Sequence, residues 1–149
     1  EINGKGQQYN ISGELIFEGE YLNGRIWNGK MHVSSFYVEI ECEVKDGKNQ
    51  GNLKIFYSDG RTFDGEYKVY SENRKGKEYD GQGRLIFEGE YINNIQMNGY
   101  KKDYNDNGEL IYEGEYLHGK RNGKGKEYND GKVIYEGEYL NGERKKTEE

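Results

Sequence analysis

The sequence predicts an all-β protein: a single-layer antiparallel meander of stacked β-hairpins, similar in outline to a β-solenoid. Three observations lead to this prediction. A polar phrase of the form aromatic–acid–Gly–Glu–Tyr recurs at a nearly fixed interval, polar and apolar residues alternate within it, and Asn-Gly or Asp-Gly pairs separate the copies. Alternation with a period of two is typical of a strand, and Asn-Gly and Asp-Gly are the strongest hairpin turns.

The repeat sets the organisation of the chain. Clear copies of the phrase begin at Phe17, Phe63, Phe87, Tyr112 and Tyr135. A degenerate copy begins at Ile40, where Cys42 replaces the glycine, so the intervals are 23, 23, 24, 25 and 23 residues. Residues 1–16 match part of a unit, residues 135–142 form a terminal half-unit, and residues 143–149 are a charged tail. A period of this length indicates one repeat domain over residues 1–142.

Each unit contains two predicted strands. In the Tyr112 unit they are residues 110–117 and 123–128, with turns at 118–122 and 129–131. Alternation places Tyr112, Gly114 and Tyr116 on one face and Glu113 and Glu115 on the other.

The polar and glycine-rich character of the phrase has a structural explanation. Lys124 and Lys126 are expected across from Glu113 and Glu115, where opposite charges contribute roughly 0.2–1 kcal/mol a pair. One face of the sheet is therefore a ladder of charges in water. On the other face the rings must lie over neighbouring strands, and a glycine leaves room for them.

Composition restricts the partners. The 149 residues carry a net charge of −6 with no basic block, which argues against nucleic acid and makes anionic lipid an unfavourable ligand. The single cysteine fits a reducing compartment, and no apolar run is long enough to span a bilayer. We predict a cytoplasmic location, with association to cytoskeleton or membrane as a variant of it.

The stretch "YEGEYLHGKRNGKG" (112–125) resembles the MORN (membrane occupation and recognition nexus) repeat, which reads roughly Y-x-G-x-[WY]-x-x-G-x-x-x-G-x-G. Residues 125–142 look most like the variant form of this repeat, and the copy at 40–62 departs from it. The resemblance covers nearly the whole chain. It implies a twisted, groove-like single-layer sheet and non-enzymatic roles in scaffolding, self-association and docking of partners.

Residues that could take part in catalysis or bind a metal have simpler, structural interpretations. His118 takes a place that other units fill with Asn, which indicates a turn, and nothing near His32 completes a triad. Cys42 occupies a small-residue position without a second cysteine. The Glu-x-Glu pairs recur with lysines opposite, which favours the charge ladder over calcium binding or acid–base catalysis. We predict no catalytic residue, cofactor or metal site.

One departure from the repeat suggests binding. Three predicted hairpin loops carry apolar residues where other units are polar, and these form a candidate partner-binding ridge: Ile26, Trp27, Val69, Tyr70, Ile95 and Met97. Aromatic and Met side chains are enriched at protein interfaces. The alternative is that these loops fold back and pack on the sheet.

These observations predict a non-enzymatic repeat scaffold that mediates protein–protein interaction, self-association included, within a larger assembly. Two alternatives stay open. A carbohydrate-binding hairpin solenoid would use aromatic residues to stack on sugars, and a lipid-docking module would bind a membrane surface. A glycan array and liposome flotation separate them from protein binding.

We predict concentration-dependent self-association, a homodimer being favoured over an open fibre. Unpaired edge strands invite pairing with another chain, and residues 2–9 carry only one charge to discourage it. Sedimentation across a wide concentration range measures this. Gln7→Pro should weaken association through the edge, and Trp27→Ala should weaken association through the ridge. A monomer at every concentration would refute edge pairing.

Overall fold

All strands lie in one antiparallel sheet. The computed structural model describes residues 2–67 and 73–146, and thirteen strands in this part of the chain pair in sequence order, as predicted. No helix occurs in these two ranges, and the sheet is not closed into a barrel. The strands are β1 (Gly4–Tyr9), β2 (Leu15–Leu22), β3 (Arg25–Ser34), β4 (Val38–Lys45), β5 (Lys48–Tyr57), β6 (Thr62–Tyr67), β7 (Arg74–Tyr79), β8 (Leu85–Ile92), β9 (Ile95–Tyr104), β10 (Leu110–Leu117), β11 (Lys120–Asn129), β12 (Lys132–Leu140) and β13 (Glu143–Arg144).

The aromatic side chains of the repeated motif form the core on one face of the sheet, which we call the aromatic face. In β10 the side with Tyr112, Gly114 and Tyr116 is more buried than the side with Glu113 and Glu115, as predicted. The first ring of a unit meets the second edge-to-face, for example Tyr112 and Tyr116 at 6.2 Å between centroids. The fully buried first-position rings are Phe17, Phe63, Phe87 and Tyr112.

The first-position rings Phe17, Phe63 and Tyr112 each lie over two backbone glycines on adjacent strands. Gly65 and Gly76 are directly opposite one another in β6 and β7. A Cβ placed on Gly65 would come within 2.7 Å of both the Gly76 Cα and the Phe63 Cζ. Gly114 and Gly125 are opposed in the same way. The prediction that glycine makes room for rings is therefore confirmed at these positions.

The degenerate unit fills the same space with aliphatic side chains. Ile40 stands at the ring position, so this unit has no first-position ring, and Cys42 and Leu53 face each other where other units have two glycines. Cys42, Val44, Leu53 and Ile55 are buried. Since no first-position ring has to lie flat on these two positions, larger residues can replace glycine without a clash.

Two-residue turns join the two strands of every unit except the Phe63 unit, where residues 68–72 fall outside the described residues. His118 and Gly119 both have positive φ, at 51° and 75°, as a type I′ turn requires. The prediction of a turn role for His118 is confirmed. The predicted five-residue turn over 118–122 is wrong, because β11 already begins at Lys120. The equivalent turns at 23–24, 46–47, 93–94 and 141–142 share this geometry, and we call this edge of the sheet the turn rim.

The turn rim also connects successive units. The His118 N–H donates to the Asn98 Oδ1 at 3.0 Å, and the Gly119 N–H donates to the Met97 carbonyl at 2.9 Å. The turn at 46–47 does the same with Asn28 and the Trp27 carbonyl. Two otherwise unpaired N–H groups of each of these turns are thus satisfied by the preceding unit.

Longer loops occupy most of the opposite edge, which we call the loop rim, and a two-residue turn at 130–131 joins β11 to β12 there. At 80–84 the Asp80 Oδ1 accepts hydrogen bonds from the N–H groups of Gln82 and Arg84. Asn10 and Asn105 order the loops at 10–14 and 105–109 in the same manner. Side-chain oxygens of Asn and Asp favour such turns because they mimic a backbone acceptor.

We call the face opposite the aromatic face the charged face, and on it the sign of the side-chain charges alternates from one strand to the next. Glu113 of β10 is opposite Lys102 of β9 on one side and Lys126 of β11 on the other. Lys126 in turn faces Glu136 of β12, with 3.3 Å between the charged atoms. The predicted charge ladder is confirmed in this region, although Glu115 accepts from the Lys124 backbone N–H instead of pairing with its side chain.

The sheet continues after residue 142. Glu143 and Arg144 pair with Leu140 and Tyr139, and the Lys145 N–H donates to the Glu138 carbonyl at 2.7 Å. These residues belong to the sheet, in contrast to the predicted tail over 143–149.

We predict that Gly114→Val destabilises the protein by about 2–4 kcal/mol, because a Cβ there would lie 2.5 Å from the Tyr112 hydroxyl and 2.6 Å from the Gly125 Cα. Glu136→Gln is the matched control on the charged face, where a side chain that is 64% exposed should change stability by less than about 0.5 kcal/mol. Thermal unfolding followed by circular dichroism measures both. Equal changes in melting temperature would contradict the assignment of the two faces.

Candidate functional site

The residues of the predicted ridge lie in strands. Ile26 and Trp27 belong to β3, and Ile95 and Met97 belong to β9, so their prediction as loop residues is wrong. The reason is the short turns, which let the second strand begin immediately after residues 24 and 94. Val69 and Tyr70 fall outside the described residues. The predicted role of these six residues in binding stays a prediction.

Trp27 and Met97 are the extra residues of two β-bulges. The register passes from Asn28 to Ile26 across Trp27, and from Asn98 to Gln96 across Met97. A bulge re-aims the inserted side chain. The Trp27 ring comes within 3.5 Å of the position of a Cβ on Gly47, so it packs along the next turn.

The ridge residues are not gathered into one surface. β3 and β9 are separated by six strand steps. At ~4.8 Å a step, this is roughly 29 Å along a flat sheet. Ile95 is the one of the four that is strongly exposed. The two residues in β9 therefore lie in a separate surface of their own and do not extend the surface formed by the two residues in β3.

The other residues that the sequence analysis considered, Cys42 and His32, lie in surroundings that favour a structural role. Burial raises the pKa of the Cys42 thiol, which disfavours the thiolate. The His32 Nδ1 lies 3.9 Å from the Glu41 carboxylate in β3 and β4. Within residues 2–67 and 73–146, no group of three or more His, Cys, Asp or Glu side chains could hold a metal ion.

An open groove of about 780 Å³ crosses the aromatic face between β4 and β10. It starts at the loop rim with Tyr37 and ends at the turn rim with Ile95. Between them it contains four charged side chains, three of them cationic: Arg61, Arg74, Glu78 and Lys101. Tyrosine rings and Ile55 supply much of the remaining wall.

Polar side chains on this face follow a rule set by the strand register. The residue opposite each first-position ring on the preceding strand occupies what we call the acid position. The residue opposite each second-position ring on the following strand occupies the donor position. From the first unit to the last, the acid positions are Gln8, Val33, Ile55, Glu78, Asp103 and Glu127. The donor positions are Ile26, Asn49, Arg74, Gln96, Arg121 and Arg144.

The last three units each pair their acid with their donor. Glu78 accepts from the Gln96 Nε2 at 3.1 Å, and Asp103 lies 3.7 Å from Arg121. Glu127 accepts two hydrogen bonds from Arg144, at 3.0 and 2.6 Å. Bidentate Arg–carboxylate pairs of this kind are among the stronger polar contacts in proteins.

Two of these pairs are joined by a hydrogen bond to the second-position ring. Tyr91 donates its hydroxyl to Glu78, which is only 3% exposed, and Tyr139 donates to Glu127 at 2.5 Å. The Arg144 hydrogen bond outweighs desolvation and lowers the pKa of Glu127 to about 2. The phenols are held neutral, since burial and the adjacent carboxylates raise the pKa of both tyrosines.

The Phe63 unit has a donor without an acid. Ile55 occupies its acid position and Arg74 its donor position. The Arg74 guanidinium lies 4.8 Å from the Phe63 ring centroid, just as Arg121 and Arg144 lie over Tyr112 and Tyr135 at 3.9 and 4.5 Å. Within the described residues Arg74 reaches no carboxylate, and its buried Nε has no hydrogen-bond partner.

A second feature lies at the beginning of the loop rim. Ile11 and Phe36 are fully exposed, and Tyr37 is 78% exposed. We call these three residues the apolar loop patch. Their loops are two strands apart on the same rim, and the Tyr37 carbonyl accepts from the Ser58 N–H of the next loop.

Both features were missed from the sequence alone, although signals for them exist. "SSFY" (34–37) replaces the polar turn that ends other units, such as "YNDG" (128–131). The acid positions appear in the sequence as the third residue of "GQQY", "GKEY" and "GKEY" at Gln8, Glu78 and Glu127. The donor positions could not be found this way, because bulges change their spacing from the ring they face.

No protein-family model matches the chain, and no curated protein matches it either. Within the described ranges, no helix has the length and apolar character needed to cross a lipid bilayer.

The acid–donor pairs predict a specific pH dependence. Because the pKa of Glu127 is lowered from 4.5 to about 2 in the folded protein, its contribution to stability is present above about pH 4.5. That contribution is lost as the pH falls through 2. Glu127→Gln should therefore lower the melting temperature at pH 7 and converge with the wild type near pH 2. A difference that is independent of pH would contradict the pairing with Arg144.

Proposed function

We propose that the chain is a non-enzymatic, MORN-type repeat scaffold that binds a partner protein. The support for a scaffold is the reiterated unit, in which most polar side chains are used to hold one strand against the next. Each unit adds surface of constant geometry, as in other repeat proteins that present extended binding surfaces.

The observation that carries the proposal is the apolar loop patch. Ile11, Phe36 and Tyr37 stand where the later units have Asp, Asn and Gly, and two of the three side chains are fully exposed. Folding gains nothing from an exposed Phe at a loop tip, whereas an interface gains buried area and a rigid anchor. Aromatic side chains at the centre of an interface commonly dominate its binding energy.

The proposal is tested by site-specific photocrosslinking with the full chain. A photoreactive phenylalanine analogue at position 36 is irradiated in an extract of the source cells, and crosslinked proteins are identified by mass spectrometry. The matched control carries the analogue at Gln82, an exposed residue in the later part of the same rim. We expect a protein adduct at 36 that is absent at 82.

The adduct must then be reproduced with the purified partner. Binding should weaken at least tenfold in Phe36→Ser and stay unchanged in Gln82→Ser. A second copy of the chain as the adduct would identify self-association as the interaction. Binding to a glycan array or to vesicles that is equal in the wild type and in Phe36→Ser, with no protein adduct at 36, would overturn the proposal.

A further inference from the structure

The Phe63 unit breaks a rule that the later units obey. Where the donor is Arg121 or Arg144, an acid of the same unit is within reach, at Asp103 or Glu127. Gln96 likewise has Glu78. Arg74 has Ile55 in that place. The Phe63 unit therefore has a cation at its donor position but no carboxylate at its acid position.

Arg74 is nevertheless held in a fixed orientation. Its guanidinium lies between Phe63 and Tyr91, at 4.8 and 4.3 Å from their centroids. One terminal nitrogen donates to the Asn94 Oδ1 at 2.5 Å, and the other donates to the Tyr57 hydroxyl at 3.3 Å. All of these partners are neutral. Each terminal nitrogen carries a second hydrogen that these two hydrogen bonds do not use, and a guanidinium is well suited to pairing with a carboxylate.

The groove around Arg74 contains two other cations, Arg61 and Lys101. Its other cations are compensated within the protein, since Arg61 reaches Asp59 and Glu78, and Lys101 reaches Asp103. Among the described residues, Arg74 is the cation of the groove without a carboxylate partner, within a chain whose net charge is −6. Ile55 lines the same groove, so the wall beside Arg74 is apolar where the later units have an acid.

The dimensions of the groove fit an extended chain. It runs from β4 to β10, which is six strand steps or roughly 29 Å on a flat sheet. About nine residues of extended peptide cover that length at ~3.3 Å each. Tyr37 belongs both to the groove and to the apolar loop patch, so the two surfaces are continuous.

We propose that this groove binds an extended acidic segment of the partner protein, and that an Asp or Glu side chain of that segment pairs with Arg74 in place of the missing internal acid. This inference rests on the proposed function, because it assigns the chemistry of the partner. The segment crosses the aromatic face from the apolar loop patch toward Asn94.

The test is selection of nonapeptides from a random phage-displayed library against the full chain. We expect Asp or Glu to be enriched in the selected peptides. Fluorescence anisotropy with a labelled selected peptide then gives affinities. Replacing its essential Glu with Gln should weaken binding at least tenfold, and added salt should weaken it further.

Two variants with matched controls locate the contact. Arg74→Met keeps an unbranched side chain that can pack against the rings but removes the charge and the donors, and should weaken binding at least tenfold. Arg84→Met is its control, because Arg84 also lies over a ring, Tyr104 at 4.0 Å, but is paired with Asp80 away from the groove. Ile55→Glu restores the internal acid and should also abolish binding. Val33→Glu places an acid at the same repeat position in the unit whose donor position is Asn49, and should change affinity less than twofold.

Circular dichroism melts establish whether each variant is folded. If Ile55→Glu does not fold, the affinity of Arg74→Met for the peptide tests the inference. Selected peptides without acidic enrichment would overturn the inference, as would unchanged affinity in Arg74→Met. Binding of phosphatidylserine vesicles that is lost in Arg74→Met, with no acidic peptide selected, would overturn it in favour of lipid. A protein adduct at position 36 together with any of these results would leave the scaffold function standing and reject only the acidic segment.

Discussion

A sheet with a single layer must bury its aromatic rings against its own backbone, and the rest of this structure depends on that constraint. A ring that lies flat on the sheet needs backbone atoms beneath it without side chains. Two opposed glycines, such as Gly65 and Gly76 under Phe63, provide that surface. The second ring of the unit then closes the side of the first at an edge-to-face angle. The phrase of aromatic, Gly and Tyr is therefore the smallest set that buries one ring in one layer.

The constraint also explains why units support one another. The first ring of a unit also contacts the second ring of the following unit, as Phe63 does with Tyr91 at 5.4 Å and Tyr112 with Tyr139 at 5.5 Å between centroids. The turn at 118–119 takes its acceptors from Met97 and Asn98 of the unit before. A hairpin alone would lose this ring contact and would leave its turn N–H groups in water. The middle unit shows which part of the motif is required. Cys42, Val44 and Leu53 change the chemistry of every position, yet the layer stays filled, so volume at the core matters more than ring identity.

The sequence predicted the layer, the faces and the repeat because all three depend on local patterns. Period-two alternation fixes which side Tyr112 and Glu113 take, and Asp-Gly or Asn-Gly pairs fix where the chain reverses. The predicted loops at Trp27 and Met97 were wrong because a bulge adds one residue without breaking the strand, and no composition signal marks it. The acid–donor pairs depend on the register of three strands. Glu127 and Arg144 are seventeen residues apart, and the β-bulge beside Tyr128 contributes to this spacing.

A repeat protein offers an internal comparison that most folds lack, since each unit is a control for the others. A lone half-buried arginine between two rings has many structural explanations in an ordinary domain. Here the same position is filled by Arg121 and Arg144, and both show what the arrangement includes when it is complete. In comparison with those two units, the Phe63 unit has Ile55 in place of the acid but has a cation at the donor position. The loss leaves Arg74 with rings, an amide and a phenol as partners, which hold its orientation but do not balance its charge. An uncompensated, oriented guanidinium in an open groove is costly for folding alone and favourable for recognising a carboxylate.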